Sequence, residues 1–197
     1  MNNRAAATAA ITLTALLALA GCAGTTGAGG MDNMPGMGSS ASASTAADVN
    51  DADMQFTMMM IPHHEQAVEM ADMILAKENI DERVITLAEQ IKAAQGPEIE
   101  LMESWLDEWG TPMGDMGGMD HGGMMSETDM QALEDATGAE ASRLFLEQMI
   151  VHHEGAIEMA QSEVDNGGNA DVLALAEAII ASQTTEITTM EDILATL

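Results

Sequence analysis

The sequence is poor in cysteine, aromatic residues and positive charge, and each shortage excludes a class of function. Cys22 is the only cysteine, so neither an intramolecular disulfide nor a centre with several thiolates can form. Aromatic residues make up 2% of the chain and tyrosine is absent. Five Lys and Arg stand against 33 Asp and Glu, for a formal net charge of −28. Nucleic acid is therefore excluded as a partner, because phosphate binding needs a cationic surface.

The first 21 residues have the pattern of an export signal. Arg4 is followed by an uncharged apolar run that ends in Leu19-Ala20-Gly21-Cys22. We predict a lipoprotein signal peptide over 1–21 and a lipid on Cys22, with an ordinary secretory signal as the alternative. The lipid would anchor the protein in the cell membrane on its extracytoplasmic side.

Two segments are rich in glycine or other small residues and show no periodic apolar face. Residues 22–50 predict a flexible tether, and residues 111–128 predict a loop. The loop carries five methionines and a histidine, namely Met113, Met116, Met119, His121, Met124 and Met125. Thioethers that have no core to fill indicate capture of Cu(I). Chance methionines in a linker, or a surface that scavenges oxidants as sulfoxide, are the alternatives.

One motif occurs twice and contains four of the five histidines. The pattern M-I-x-H-H-E-x-A-[VI]-E-M-A runs from Met60 to Ala71 and again from Met149 to Ala160. Each copy lies on an apolar stripe at helical spacing. On the first, the stripe comprises Phe56, Met60, His63, His64, Ala67, Met70, Ala71 and Ile74.

Each motif helix is followed by a second helical stretch, so the chain is a tandem duplication of a helical hairpin. The hairpins span 51–110 and 129–197 and form one domain over 51–197. We predict an all-α, four-helix, up-and-down bundle. We expect Asp51 or Asp53 to cap the first helix, Pro62 to bend or start it, and Gly138 to break the third helix early. The face of the second helix comprises Leu87, Ile91, Ala94, Met102, Trp105 and Leu106, with Gln95 at its edge.

The spacing of methionine and histidine favours a soft metal. Met60 precedes His63 by one helical turn, and Met149 precedes His152 in the same way. In the familiar di-iron bundles a glutamate holds that place. A thioether selects Cu(I), whereas imidazole also suits Cu(II), zinc and iron. Zinc and iron therefore fit this pattern less well than copper.

Acidic residues recur on the second helix of each hairpin. Glu98 and Glu186 occupy matching positions, where each could orient a metal-bound histidine or simply form a hydrogen bond with it in the core. Four further stripe methionines are interpreted as core residues, namely Met70, Met102, Met159 and Met190.

The duplicated motif, followed in each half by Gln-x-x-Glu-Ile-x-x-Met, resembles a bacterial family of domains of unknown function with a ferritin-like helical fold. The resemblance covers roughly residues 51–197. It implies an exported or lipid-anchored protein that binds copper outside the cytoplasm, as some members resemble periplasmic copper-binding proteins linked to copper resistance. The ligands it implies are Met60, His63, His64, Met149, His152 and His153. The methionine-rich loop and Pro62 are departures from the family pattern.

Our leading hypothesis is a lipid-anchored protein that sequesters or delivers copper, principally Cu(I). A protein that accepts the copper and self-association into a homo-oligomer are both compatible with it. The alternatives are a metal-dependent oxidase on the bundle and a metal-free structural lipoprotein of the envelope. An enzyme is less favoured, because the inward residues include few carboxylates and the sequence has no Gly-x-Ser-x-Gly or Walker-type lysine loop.

Overall fold

Helices account for most of the residues that the computed structural model describes, which are 48–111 and 122–197. These helices are α1 (Asp51–Leu75), α2 (Glu82–Trp109), α3 (Glu127–Asp135), α4 (Gly138–Asn166) and α5 (Ala170–Leu194). No strand occurs in either described range, and the predicted all-α class is confirmed. The up-and-down, ferritin-like order stays a prediction. The signal peptide, Cys22, Met113, Met116, Met119 and His121 lie outside the described residues.

The N-terminus of α1 is fixed by a capping box. The Asn50 side chain accepts hydrogen bonds from the backbone N–H groups of Ala52 (2.7 Å) and Asp53 (3.1 Å), and the Asp53 carboxylate accepts from Asn50 N–H at 2.6 Å. The cap is therefore Asn50, and the prediction of Asp51 or Asp53 was wrong. Asp53 supplies the returning half of the box instead.

Pro62 lies inside α1, so the expectation that it might start the helix was wrong. Proline removes one backbone donor. The neighbours Ile61 and His63 are both fully buried, so packing on each side of Pro62 keeps the helix continuous. Gly138, by contrast, begins α4 at φ +56°, and the predicted early break is confirmed as the boundary between α3 and α4.

The helices pack as two hairpins that meet along their motif helices. Helix α1 packs against α2, and α4 packs against α5. The hairpins are joined where α1 packs against α4, and α3 contacts both of these helices. The whole predicted stripe of α1 is buried, as expected. On α2, Ala94 is exposed because Gln95, its neighbour, takes the buried position, and Trp105 is only half-buried.

A layer of polar residues that contains the four paired histidines divides the buried core into two apolar clusters. One cluster includes Met70, Phe145 and Met149, and the other includes Phe56 and Met60. On both motif helices the histidine pair falls between residues of the two clusters. Among the described residues, no helix is long and apolar enough to cross a membrane.

Candidate metal centre

The four paired histidines lie in the middle of the core, and each is 0% exposed. Neighbouring residues on a helix point about 100° apart, so the two rings of a pair face different neighbours. His63 of α1 and His152 of α4 meet where the hairpins join, with ring centroids 3.7 Å apart and planes inclined at 39°. The structure thus brings the two copies of the motif into direct contact through their first histidines.

The second histidine of each pair faces the other helix of its own hairpin. His64 Nε2 lies 2.8 Å from Glu98 Oε2, and His153 Nε2 lies 2.6 Å from Glu186 Oε2. A carboxylate accepts hydrogen bonds, so the contact forms when Nε2 carries the proton, and in a neutral ring the lone pair is then on Nδ1.

The Nδ1 atoms of His64 and His153 are buried and have no hydrogen-bond partner. An imidazole held through one nitrogen by a carboxylate presents its other nitrogen in a fixed direction, which is the usual arrangement behind a metal-bound histidine. These two Nδ1 atoms are therefore candidate metal donors.

The environment keeps His152 neutral. Burial lowers its pKa well below the usual value, and the charges that His63, His153 and His64 would carry lower it further. The backbone of His63 acts weakly in the opposite direction. Neutral imidazole is the form that binds a metal, so the crowding of four rings favours the ligating state.

The motif methionines flank the histidine layer from opposite sides. Met60 and Met149 are both 0% exposed, and they belong to different apolar clusters. Each lies one turn before its histidine pair on the same helix, so the thioether and an imidazole share a face. Of the four methionines interpreted as core, Met70, Met102 and Met190 are buried and Met159 is half-buried.

Two glutamines belong to the polar layer, although the sequence analysis did not count them as site residues. Gln95 and Gln183 are each 2% exposed, and the Oε1 atom of each is buried without a hydrogen-bond partner. They precede Glu98 and Glu186 by three residues and so share a helix face with them. The signal that could have identified them is their recurrence at matching positions in the two hairpins.

The donor set fits a soft cation. Within 48–111 and 122–197, no group of three or more His, Cys, Asp or Glu side chains is arranged to hold a metal ion. The layer does contain several buried polar atoms without partners, which native cores rarely tolerate. Imidazole nitrogen with thioether sulfur is a combination that suits Cu(I).

The described end of the methionine-rich loop lies on α1. Met124 and Met125 are both half-buried. Met125 N–H donates to Gln66 Oε1 at 2.7 Å, and Gln66 Nε2 donates to the Met125 carbonyl at 2.9 Å. The loop therefore returns to the motif helix one turn beyond His63.

Residues 53–194 match the family described as Domain of unknown function (DUF305). The chain belongs to the DUF305 family. A solved DUF305 protein from Streptomyces coelicolor, described as secreted, is 34% identical with a TM-score of 0.68, covering 73% of this chain and 91% of its own. A DUF305 fragment from Deinococcus radiodurans is 32% identical with a TM-score of 0.70, covering 76% and 99%.

A third similar structure contains bound copper. CopM in its Cu(II)-bound form is 33% identical with a TM-score of 0.64, and the match covers 73% of this chain and 95% of the CopM chain. CopM is also matched in Cu(I)-bound and Ag-bound forms. None of the curated proteins matches this DUF305 sequence. Copper binding is therefore found within the structural relatives of this chain.

Proposed function

We propose that this DUF305 protein binds copper, principally Cu(I), in its buried histidine layer and sequesters or delivers it. The observation that carries the proposal is the pair of His–Glu contacts, His64–Glu98 and His153–Glu186, each of which leaves a buried Nδ1 without a partner. The copper-bound and silver-bound forms of CopM support the choice of metal.

The roles of the ligands follow from their positions. His64 and His153 would bind through Nδ1 while Glu98 and Glu186 fix the rings. His63 and His152, which meet at 3.7 Å, would supply imidazole from the contact between hairpins. Met60 and Met149 would supply thioether sulfur, and sulfur makes the set selective for Cu(I). Copper is the cargo here, and no reaction on it is proposed.

The loop would act as an outer copper-collecting segment. Its candidate donors are Met113, Met116, Met119, His121, Met124 and Met125. The strongly acidic composition, with a net charge of −28, would raise the local concentration of cations around these donors. The same proposal includes transfer of copper to a separate acceptor protein and self-association into a homo-oligomer. It also includes a ferritin-like order of the helices in the bundle.

We also propose that the protein lies outside the cytoplasm, anchored by a lipid on Cys22 after removal of residues 1–21. The sequence pattern and the secreted relative from Streptomyces coelicolor support this location. The tether over 22–50 would keep the helices at a distance from the membrane. Replacing Cys22→Ser should move the protein from the membrane fraction to the soluble fraction, and retention in the membrane fraction would reject the lipid anchor.

The copper proposal is tested by anaerobic titration of the purified protein with Cu(I) against a chromogenic chelator, with X-ray absorption to count sulfur and nitrogen donors. The double variant Met60→Leu with Met149→Leu keeps the side-chain volume but removes both thioethers. We expect it to lose sulfur donors and to bind Cu(I) more weakly.

The matched control is Met70→Leu with Met190→Leu, which changes two methionines that are equally buried but lie outside the motif turns that carry the histidines. It should bind Cu(I) as the unchanged protein does. Absence of stoichiometric Cu(I) binding, or binding that is unaffected when all four paired histidines are replaced, would reject the histidine layer as the site.

A further inference from the structure

A second group of methionines lines a groove on the outside of the bundle. The groove has a volume of about 360 Å³ and lies between α1, the end of the loop and α3. Met73 comes from α1, Met125 from the loop and Met130 from α3, and all three are half-buried. Three thioethers from three separate elements thus border one solvent-accessible space.

The walls of this groove also carry negative charge. Glu69, Glu127 and Glu134 line it and are exposed. Carboxylates are hard ligands and do not select a soft metal, but their field attracts any cation to the groove. Thioethers then discriminate in favour of a soft monovalent ion.

The groove is held together by specific hydrogen bonds. Gln66 forms two with the backbone of Met125, at 2.7 and 2.9 Å. Helix α3 is tied to the turn that follows α1 by Lys77 Nζ, which donates to the Glu134 carbonyl at 2.6 Å. It is tied to α4 by Gln148 Nε2, which donates to the Asp129 carbonyl at 2.9 Å. The three methionines therefore have a fixed framework.

The two copies of the motif differ at the position that holds the loop. Gln66 stands in the first copy and Gly155 at the same place in the second. A Cβ atom on Gly155 would lie 2.1 Å from the Gly122 carbonyl oxygen, so only glycine allows the loop to cross α4 there. Gln66 holds the loop on α1 through its hydrogen bonds, and the absence of a side chain at Gly155 leaves room for the loop on α4. This variable position of the motif is thus explained by docking of the loop.

We propose that Met73, Met125 and Met130 form an outer site for Cu(I) or another soft monovalent cation, and that Gln66 and Gly155 position it. The proposal relies on the proposed copper function for the identity of the metal, while the groove itself is defined by geometry. Met73 lies about two and a half turns after His64 on α1, and the groove is open to solvent whereas the histidines are buried, so an outer site would meet copper first.

The site is tested with Ag(I), a redox-stable probe, added to the intact protein labelled with ¹³C on the methionine ε-methyl groups. We expect the Met73, Met125 and Met130 methyl resonances to shift together with one Ag(I) dependence. The variant Met73→Leu with Met130→Leu should bind one Ag(I) fewer. Met54→Leu with Met58→Leu is the control, because both residues are half-buried and neither lines the groove.

The outcome separates this site from the histidine layer. If the Met60 and Met149 methyl groups respond to Ag(I) but the three groove methyl groups do not, the outer site is rejected and the proposed function stands. If the groove methyl groups respond and binding survives replacement of the four paired histidines, the outer site stands and the buried site is rejected.

The positioning role is tested by Gln66→Ala and Gly155→Ala. Either change should speed hydrogen exchange at the Met125 amide and weaken Ag(I) binding at the groove roughly tenfold, the lower end of what supporting residues contribute to metal affinity. Alanine has a higher helix propensity than glycine, so Gly155→Ala should not unfold α4. Gly96→Ala on α2 is the control, since its Cβ would meet nothing within 4 Å. Unchanged exchange and affinity in both variants would overturn the positioning role.

Discussion

The two motif helices have the same histidines but differ in what surrounds them. His64 and His153 make the same contact with a glutamate, and the first histidines of both copies meet each other. At the equivalent positions Met70 and Met159, however, one side chain is fully buried and the other is half-buried beside a cavity of about 130 Å³. The duplication is thus preserved at the histidines and relaxed at this pair of methionines.

The two ends of the bundle also differ in the side chain that accepts a hydrogen bond from the backbone before a helix. Asn169 N–H, before α5, donates to Asp53 Oδ1 of α1 at 2.9 Å. Asp81 N–H, before α2, donates to Ser142 Oγ of α4 at 3.2 Å. Each motif helix therefore binds the backbone just before the second helix of the other hairpin, through a carboxylate at one end of the bundle and a hydroxyl at the other. The carboxylate end also contains Glu163, whose raised pKa of about 8 makes that end sensitive to pH near neutrality.

The largest expected effect comes from truncating Met70, and its comparison with Met159 tests the difference in burial between the two positions. Truncating a fully buried methionine to alanine costs about 2–5 kcal/mol, because contacts are lost and a cavity is left. Met70→Ala should therefore lower the free energy of unfolding by that amount. Met159→Ala should cost less than about 2 kcal/mol, since its side chain is already partly in water. Urea denaturation followed by circular dichroism measures both.

Met70→Leu serves as the control, because a swap of similar volume costs less than about 1.5 kcal/mol. Equal losses for Met70→Ala and Met159→Ala would show that the two halves are packed alike, against the burial difference described above.

The second largest effect tests whether the two histidine–glutamate contacts are equivalent. Glu98→Gln and Glu186→Gln each remove the charge that fixes a histidine while keeping the side-chain shape. Each should weaken Cu(I) binding by roughly 10–100-fold, the usual effect of changing the partner of a metal-bound histidine. The two losses should be similar, because the contacts are 2.8 and 2.6 Å and the carboxylates are 23% and 19% exposed. Competition titration against a chelator gives both affinities.

Glu100→Gln on α2 and Glu191→Gln on α5 are the controls, since both glutamates are exposed. A loss confined to one of Glu98 and Glu186 would mean that only one hairpin contributes a copper ligand through its second histidine.

Much of the fold could be predicted because helix periodicity depends on local sequence. The stripe on α1 and the break at Gly138 both follow from spacing and from the backbone freedom of glycine. The errors came from competing local signals. Asn50 takes the cap because Asp53 can return a hydrogen bond to it, and two acidic residues nearby obscured that choice.

The site was predictable only in part, because contacts between helices depend on packing. The histidines and Glu98 could be singled out as repeated polar residues on an apolar face. The meeting of His63 with His152 could not, since it needs the relative rotation of α1 and α4. Gln66 and Gly155 were also beyond reach, because their role exists only once the loop lies across both helices.

The smallest effect tests the pH sensitivity of the end that contains Asp53. Burial raises the pKa of Glu163 to about 8, and its hydrogen bond with Asp53 and the charge of Asp53 contribute as well. Burial also raises the pKa of Asp53, but hydrogen bonds from Asn50, Asn169, Glu163 and Gly168 outweigh it and lower the pKa below its usual value. Near neutral pH, Glu163 is therefore the protonated partner that donates to the Asp53 carboxylate.

The sign of the pH dependence follows from proton binding. Glu163 has a pKa of 4.5 in the unfolded chain and about 8 in the folded protein, so the folded state holds an extra proton between these values. The stabilisation is complete below pH 4.5 and is lost as the pH rises through 8. The Tm should fall by several degrees between pH 6 and 9.5, since the folded state loses its extra proton in this interval and 1 kcal/mol shifts the Tm of a domain of this size by about 2–4 °C. Glu163→Gln, whose amide still donates to Asp53, should remove most of this fall, whereas Glu158→Gln at an exposed position should leave it intact. The same slope in Glu163→Gln as in the unchanged protein would mean that Glu163 does not cause the pH dependence of stability.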